Sequence, residues 1–177
     1  MFLIIGNILS FIAALFTLAS CWTKKRDNVF YFQFVECSVL AVASYFFGAY
    51  AGITTLAISA VRNLTVAREK YTFPVMIVFT ALVVIAGVAA NNRGFIGLIP
   101  VIATVQYTVC SYTIKGIKGT KYSIAANVFM WFVYSFAIFD ISTGVMGVIN
   151  FICVIVSLIK MNNDEKALAR SIAGGKI

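Results

Sequence analysis

The chain has 177 residues, of which 62% are hydrophobic and 11% are charged, whereas a soluble domain averages about 45–50% apolar and about 25% charged residues. This composition excludes an ordinary soluble domain and indicates a protein embedded in a lipid bilayer. The net charge of +8 does not indicate nucleic-acid binding, because the basic residues fall in short loops spaced one helical hairpin apart.

The composition also argues against catalysis and against a metal site. The sequence has no His, which is the commonest general base and the commonest metal ligand. Its cysteines stand singly in different apolar segments, and they are Cys21, Cys37, Cys110 and Cys153. Isolated cysteines in such positions are typical of small apolar residues. We therefore expect no enzyme activity, no metal and no cofactor.

The first 70 residues predict three membrane-spanning helices. A helix needs about 20 apolar residues to cross the hydrocarbon core, and residues 2–22 meet this length. The apolar stretch 29–67 is too long for one helix, so we expect a hairpin that turns at Gly48. The predicted spans are 2–22, 29–47 and 49–67, and residues 1–70 would form one triple-helix bundle.

A single span and a second bundle follow. The linker 71–92 contains a span at 73–90, which Pro74 would open in its first turn. This span is almost wholly apolar, so it can face lipid. The second bundle, 93–161, contains spans at 94–113, 122–139 and 141–160, and Pro100 predicts a kink in the first of these. Residues 162–177 would form a cytosolic tail with a short helix.

The positions of the basic residues predict the orientation of the chain. Cytoplasmic loops of membrane proteins carry an excess of Lys and Arg. With seven spans, Arg93 lies on one side of the membrane, Arg62 lies within a span, and the remaining basic residues share the other side. These are Lys24, Lys25, Arg26, Arg68, Lys70, Lys115, Lys118, Lys121, Lys160, Lys166, Arg170 and Lys176. The N-terminus is therefore expected outside the cell and the C-terminus in the cytosol.

The predicted fold is an all-α polytopic membrane protein with an internal duplication. Each half has one span followed by a long hairpin, and each hairpin follows a basic loop. Seven helices would form two parallel-oriented triple-helix bundles joined by a linker helix, a 3+1+3 plan known among transporters. Polar side chains in a bilayer face the bundle interior or a wet cavity, so six helices are expected to surround a polar space.

Glu36 and Arg62 are the charged residues expected deep within the membrane. Counted from the cytosolic helix ends, both lie roughly 10 Å deep at ~1.5 Å per residue. An unpaired charge at this depth costs several kcal/mol, so we predict a Glu36–Arg62 pair. The pair could form part of a solute pathway or be purely structural. Alternatively, Arg62 could extend to the cytosolic interface instead. Mutual neutralisation would argue against proton coupling through Glu36.

Other polar and aromatic residues are candidates for a solute-binding site. An Asn side chain both donates and accepts hydrogen bonds, which suits a neutral solute, while Trp131 could stack on a ring. The alternative is that these residues hydrogen-bond or pack between helices. Together with Glu36 and Arg62, the candidate set comprises Asn7, Ser59, Gln106, Asn127, Trp131, Tyr134 and Asn150.

These residues also carry a family resemblance. Seven spans in a 3+1+3 plan resemble the SWEET sugar facilitators and the PnuC vitamin transporters. Glu36-Cys37, the Ser59-to-Asn63 stretch with Arg62, and Asn127 with Trp131 and Tyr134 are similar to the bacterial inner-membrane YgjV family. The SWEET-like resemblance implies a central cavity, alternating access, homo-oligomers and Asn127 as a substrate contact. The YgjV-like resemblance implies the inner membrane.

Two functions remain open on the sequence. The first is a facilitator of a small neutral or aromatic polar metabolite, such as a vitamin, nucleoside or sugar. The second is a membrane partner or scaffold protein that transports nothing. A central cavity of about 300 Å³ or more would favour transport, whereas a sealed core would favour the scaffold.

Overall fold

A computed structural model describes residues 2–174, and within this range the chain forms seven helices and no β-strand. Lys176, counted among the basic residues above, lies outside the described residues. The helices are α1 (Phe2–Trp22), α2 (Arg26–Phe46), α3 (Tyr50–Ala67), α4 (Phe73–Ala89), α5 (Leu98–Thr113), α6 (Ile117–Ala137) and α7 (Ile141–Gly174).

Several predicted features of the helix ends are confirmed. Gly48 lies between α2 and α3 with φ of +61°, a left-handed conformation that glycine adopts without steric cost. Pro74 lies in the first turn of α4. The kink predicted at Pro100 is wrong, because α5 begins at Leu98 and the first N–H groups of a helix have no intrahelical partner.

Two predicted helix starts are wrong. α2 begins at Arg26 rather than at 29, and α5 begins at Leu98 rather than at 94. The loop before α5 is held by Asn91, whose side chain accepts a hydrogen bond from the Arg93 backbone N–H and donates one to Gly94 O.

Two further helices extend beyond the predicted spans. α6 begins at Ile117 rather than at 122, so Lys118 and Lys121 belong to the helix rather than to the preceding loop. α7 continues without interruption to Gly174, so the described part of the tail is not a separate helix. Lys118 Nζ and Glu165 Oε2 form an ion pair of 2.8 Å that ties the tail to α6.

Six of the helices close into a ring. α1 packs against α2 and α7, α3 packs against α2 and α5, and α6 packs against α5 and α7. α4 packs against α3 and α5 and takes no place in the ring. Its side chains are mostly accessible, and only Val83 and Gly87 are buried. The apolar α4 thus presents most of its surface outward, as a lipid-facing helix does.

Hydrogen bonds join the helix ends at each end of the ring. At one end, here named the basic end, Lys121 Nζ donates to Cys21 O (2.8 Å) and Arg26 Nη2 donates to Ser111 O (2.6 Å). At the other, named the Arg93 end, Arg93 Nη2 donates to Phe47 O (2.9 Å). Since carbonyls in the last turn of a helix lack intrahelical partners, cations here stabilise the helix C-termini.

The helices have the character of membrane spans. α1, α2 and the first part of α7 are long and apolar enough to cross a bilayer, and α4 is apolar but shorter. α5 has 16 residues. The chain is therefore an α-helical integral membrane protein, and its polar side chains are expected to face the inside of the ring.

Candidate functional site

A polar cavity of about 60 Å³ lies inside the six-helix ring. Every helix of the ring contributes to its wall, and α4 contributes no residue. The lining side chains that can form hydrogen bonds are Ser10, Thr17, Gln33, Glu36, Cys37, Ser59, Arg62, Asn63, Thr104, Tyr107, Asn127, Trp131, Thr143 and Asn150. The gathering of so many hydrogen-bonding side chains, within helices of this composition, makes the cavity the candidate site.

Six of the nine candidates from the sequence lie together in this wall. They come from α2, α3, α6 and α7 and comprise Glu36, Ser59, Arg62, Asn127, Trp131 and Asn150. The structure therefore brings together residues that are far apart in the sequence, of which Glu36 and Asn150 are the most distant pair, 114 positions apart.

The other three candidates lie elsewhere. Gln106 faces α6, where its Nε2 donates to Ser123 Oγ (3.1 Å). Tyr134 is 1% exposed and packs edge-on against Trp131 toward the Arg93 end. Asn7 Oδ1 accepts a hydrogen bond from the Ser142 backbone N–H (2.9 Å) and so ties α1 to the start of α7. These three side chains join helices to one another rather than lining the cavity.

The predicted Glu36–Arg62 pair does not form. Among the described residues the ion pair within 4 Å is the one between Lys118 and Glu165. Arg62 is 2% exposed, and its guanidinium instead donates to neutral oxygens and lies 4.9 Å from the ring centroid of Tyr107. The accepting atoms are Asn63 Oδ1, Thr108 Oγ1 and Thr104 O. Both residues line the same cavity, but Arg62 is turned toward α5.

Several polar atoms along the cavity are buried without a partner. Asn127 Nδ2 donates to Ala103 O (2.8 Å), which ties α6 to α5. Asn150 Oδ1, Thr104 Oγ1 and Thr143 Oγ1 have no hydrogen-bond partner within the described structure. Buried polar atoms are nearly always hydrogen-bonded, so these three are suited to contact water or a polar ligand.

Some lining residues were missed by the sequence analysis. Gln33 Oε1 accepts a hydrogen bond from the Tyr107 hydroxyl (2.7 Å), which joins α2 to α5 beside the cavity. Gln33 precedes Glu36 and Cys37 at helical spacing on one face of α2, so periodicity could have found it. Asn63 is the first residue of an Asn-X-Thr glycosylation sequence, but its side chain is buried, and its Oδ1 accepts two hydrogen bonds from the Arg62 guanidinium.

Aromatic rings lie at one end of the cavity, and a hydrogen-bonded carboxyl group lies at the other. Toward the basic end, Tyr107 stacks on Phe30 (6.1 Å between centroids), and Arg26 lies over Phe30 (4.8 Å). Toward the Arg93 end, Ser10 Oγ donates to Asp140 Oδ2 (2.9 Å). Burial raises the pKa of the Asp140 carboxyl, although its hydrogen bonds from Thr143 and Ser10 act in the opposite direction.

The wall offers hydrogen-bonding side chains and little space. Within residues 2–174, no three or more His, Cys, Asp or Glu side chains are grouped so as to hold a metal ion. The volume of about 60 Å³ accommodates a few water molecules, since one needs ~10–15 Å³. It is well below the ~300–1,000 Å³ of ligand pockets, so the threshold set from the sequence for transport is not reached.

Comparison with known proteins identifies a family. The family described as "Imp-YgjV: Bacterial inner membrane protein" matches residues 4–165. No curated protein and no solved structure matches the chain. The family match covers most of the sequence, including the greater part of every helix of the ring and every residue of the cavity wall. The chain therefore belongs to the YgjV family of bacterial inner membrane proteins.

Proposed function

We propose that this protein transports a small polar solute across the bacterial inner membrane, with the cavity inside the ring as its binding site. The observation that carries this proposal is the polar wall itself. Six helices turn hydrogen-bonding side chains toward one point, and three buried oxygens there lack partners. In membrane proteins, ionisable residues that face the bundle interior or a water-filled cavity mark substrate and ion pathways.

The pattern of helix contacts supports a 3+1+3 plan. Let the first triplet be α1, α2 and α3, and the second triplet α5, α6 and α7. Exchanging α1 with α5, α2 with α6 and α3 with α7 maps the contacts of the ring onto themselves, since α1–α7 becomes α5–α3. This is the relation expected of parallel repeats about an axis along the membrane normal, and α4 would be the linker.

The helix caps at the basic end repeat the same exchange. Arg26, at the start of α2, donates to a carbonyl near the end of α5, and Lys121, near the start of α6, donates to a carbonyl near the end of α1. Each triplet thus stabilises the first helix of the other. The two seams between the triplets, α1–α7 and α3–α5, are where the ring would open.

The small volume limits what can bind without motion. A sugar or nucleoside cannot enter about 60 Å³, so this structure corresponds to a contracted state with apolar and aromatic packing toward both ends. Transport then requires the triplets to move apart alternately on the two sides, as in other repeat transporters. A sugar-, vitamin- or nucleoside-like metabolite remains the proposed solute class.

A second candidate function is a membrane scaffold that transports nothing. The observation that favours it is the same volume, because a ring without a solute-sized cavity can serve as a rigid partner for other membrane proteins. In that case the polar wall would act to hold helices together, at about 0.6 kcal/mol for an average interhelical hydrogen bond.

Ligand-dependent thermal stability separates the two functions. The purified protein is screened against sugars, nucleosides, vitamins and amino acids, since a ligand that binds the folded state raises its melting temperature. We expect a hit that Asn127→Ala abolishes and that Asn163→Ala, a matched change on the exposed tail, retains. The same solute should enter proteoliposomes. A screen with no hit, together with no uptake, would favour the scaffold.

A further inference from the structure

Glu36 is a carboxyl group in the membrane interior without a cation bound to it. Its side chain is half-buried, lines the cavity, and forms no ion pair within 4 Å in the described structure. Arg62, the predicted partner, directs its donors to Asn63, Thr108 and Thr104. A carboxylate in such surroundings is costly, and proteins commonly relieve that cost by binding a proton.

The groups that face Glu36 act in opposite directions on its protonation. Arg62 on α3 is a positive charge that favours the carboxylate, while removal from bulk water favours the acid. The other titratable groups near it are the thiol of Cys37 on α2 itself, the thiol of Cys21 on α1 and the phenol of Tyr107 on α5. A movement of α2 relative to α3 would change this balance.

A hydrogen-bonded path leads from the cavity toward the Arg93 end. Ser10 lines the cavity, and its hydroxyl donates to Asp140 Oδ2 at 2.9 Å. Asp140 lies in the turn between α6 and α7, is 4% exposed, and accepts the Thr143 N–H at Oδ1. It therefore caps α7 while its second oxygen faces Ser10. Carboxyl groups within membrane proteins serve in proton relays, and a hydroxyl group can both donate and accept a hydrogen bond beside one.

We propose that Glu36 binds and releases a proton inside the cavity, and that Asp140 and Ser10 form its route from the Arg93 end. A proton from the aqueous side adds to Asp140 Oδ2, which then donates it to Ser10 Oγ. As this O–H bond forms, the Ser10 hydroxyl turns from Asp140 and gives up its own proton to water in the cavity. That water passes a proton to the Glu36 carboxylate, which lines the same cavity. The charge of the wall then changes by one unit without any other bond breaking. Coupling of this proton to a solute rests on the proposed transport function, but proton binding does not.

Infrared spectroscopy of the protein in lipid nanodiscs tests the proton site without any solute. The carbonyl stretch of a protonated carboxylic acid is followed as the pH is changed. We expect a band that titrates in the wild type, is lost in Glu36→Gln and is kept in Glu69→Gln, which makes the same change at an exposed position. Glu36→Asp should restore a shifted band. Spectra of Glu36→Gln that titrate like the wild type would overturn the proposal.

The route has its own measurement. After a rapid pH jump, Asp140→Asn should slow the response of the Glu36 band about a hundredfold, as loss of a proton-transferring group commonly does. Asn keeps the helix cap, so folding is preserved, and Asp164→Asn on the exposed tail is the control. An unchanged rate in Asp140→Asn would refute the route and leave the Glu36 site standing.

Solute uptake under a pH gradient tests whether the proton is coupled to transport. With a solute that the screen identifies, an imposed pH gradient should accelerate uptake into wild-type proteoliposomes but not into those with Glu36→Gln. If the band titrates and no solute is taken up, the transport function fails and the proton site holds. If uptake occurs and no band is lost in Glu36→Gln, the proton site alone fails.

Discussion

Arg62 shows how a buried cation is held in the membrane without an acid beside it. Its guanidinium donates two hydrogen bonds to Asn63 Oδ1, one to Thr108 Oγ1 at 2.8 Å and a longer one to Thr104 O. The face of the Tyr107 ring adds a cation–π contact. The planar fork of Arg spreads its charge over several donors, so neutral oxygens from α3 and α5 together can solvate it.

We predict that Arg62→Lys destabilises the protein by about 1–3 kcal/mol, although it keeps the charge. An ammonium group is a compact point charge that cannot reach both Asn63 and Thr108 in the same geometry, and an unsatisfied buried acceptor costs about this much. The measurement is the free energy of unfolding in mixed micelles titrated with sodium dodecyl sulfate. Arg68→Lys, one and a half turns later and exposed, should have no effect; equal losses in both variants would contradict the fork geometry.

For single residues, the sequence predicts which side chains line the cavity better than it predicts their hydrogen-bond partners. The sequence singled out Glu36 and Arg62 together, and in the structure both line one cavity. It could not predict the bonding partners, because Thr104 and Thr108 lie more than 40 positions away. Which neighbour a side chain meets depends on helix rotation, and the amphipathic signal is weak when one face meets lipid and both faces are largely apolar.

At the scale of elements, glycine sets how closely α6 and α7 approach. A Cβ atom added to Gly147 would lie 2.6 Å from the Cβ atom of Phe132 and 3.5 Å from its Cα. A Cβ atom cannot be moved by a rotamer change, so the helix axes would have to separate. Small residues at such crossings let membrane helices pack by van der Waals contact, since no hydrophobic effect drives them together.

We predict that Gly147→Ala destabilises the protein by about 1 kcal/mol or more, because overpacking costs ~1–3 kcal/mol and outweighs a gain in helix propensity of at most ~1 kcal/mol. The unfolding titration used for Arg62 measures it. Gly52→Ala is the control, since its added Cβ would lie at an ordinary 3.4 Å from Ser44 Oγ and only the propensity gain remains. A Gly147→Ala variant as stable as Gly52→Ala would contradict the close crossing.

The elements themselves were largely predictable, although α5 begins four residues later than predicted and α2, α6 and α7 extend beyond their predicted spans. The helices α1, α3 and α4 begin and end within a residue of the predicted spans, since apolar length and the turn at Gly48 define them. α6 and α7 run further because helices continue beyond the hydrocarbon core once their polar residues find partners, as Lys118 does with Glu165. Hydropathy reports the lipid-facing part of a helix and not its full length.

At the scale of the whole molecule, the sequence indicated a polar interior but not its size. The apolar character of α4 predicted that it stands apart, and in the structure it lines no part of the cavity. The volume of about 60 Å³ could not be predicted, because it depends on side-chain packing among six helices and on which conformation is populated. For this reason the sequence alone could not distinguish transport from a scaffold.

The ring also places most basic residues at one end. Lys121 and Arg26 cap helices there, and the loops before α2 and α6 carry further lysines such as Lys115. At the opposite end of the described structure, Arg93 binds Phe47 O beside the loop that contains Phe95. A bilayer with more anionic lipid and an inward-directed potential at one face retains positive loops on that face. The fold therefore predicts which end faces the cytosol.

We predict that residues 95 and 115 lie on opposite sides of the inner membrane. In a variant lacking the native cysteines, Phe95→Cys should react with a membrane-impermeant maleimide in intact spheroplasts, because Phe95 is 91% exposed at the Arg93 end. Lys115→Cys, exposed at the basic end, should react only in inverted vesicles. Labelling of both cysteines from the same side would contradict a membrane-spanning α5, because α5 is the one helix between these positions. The reverse labelling pattern would refute the predicted orientation and leave the ring of helices unaffected.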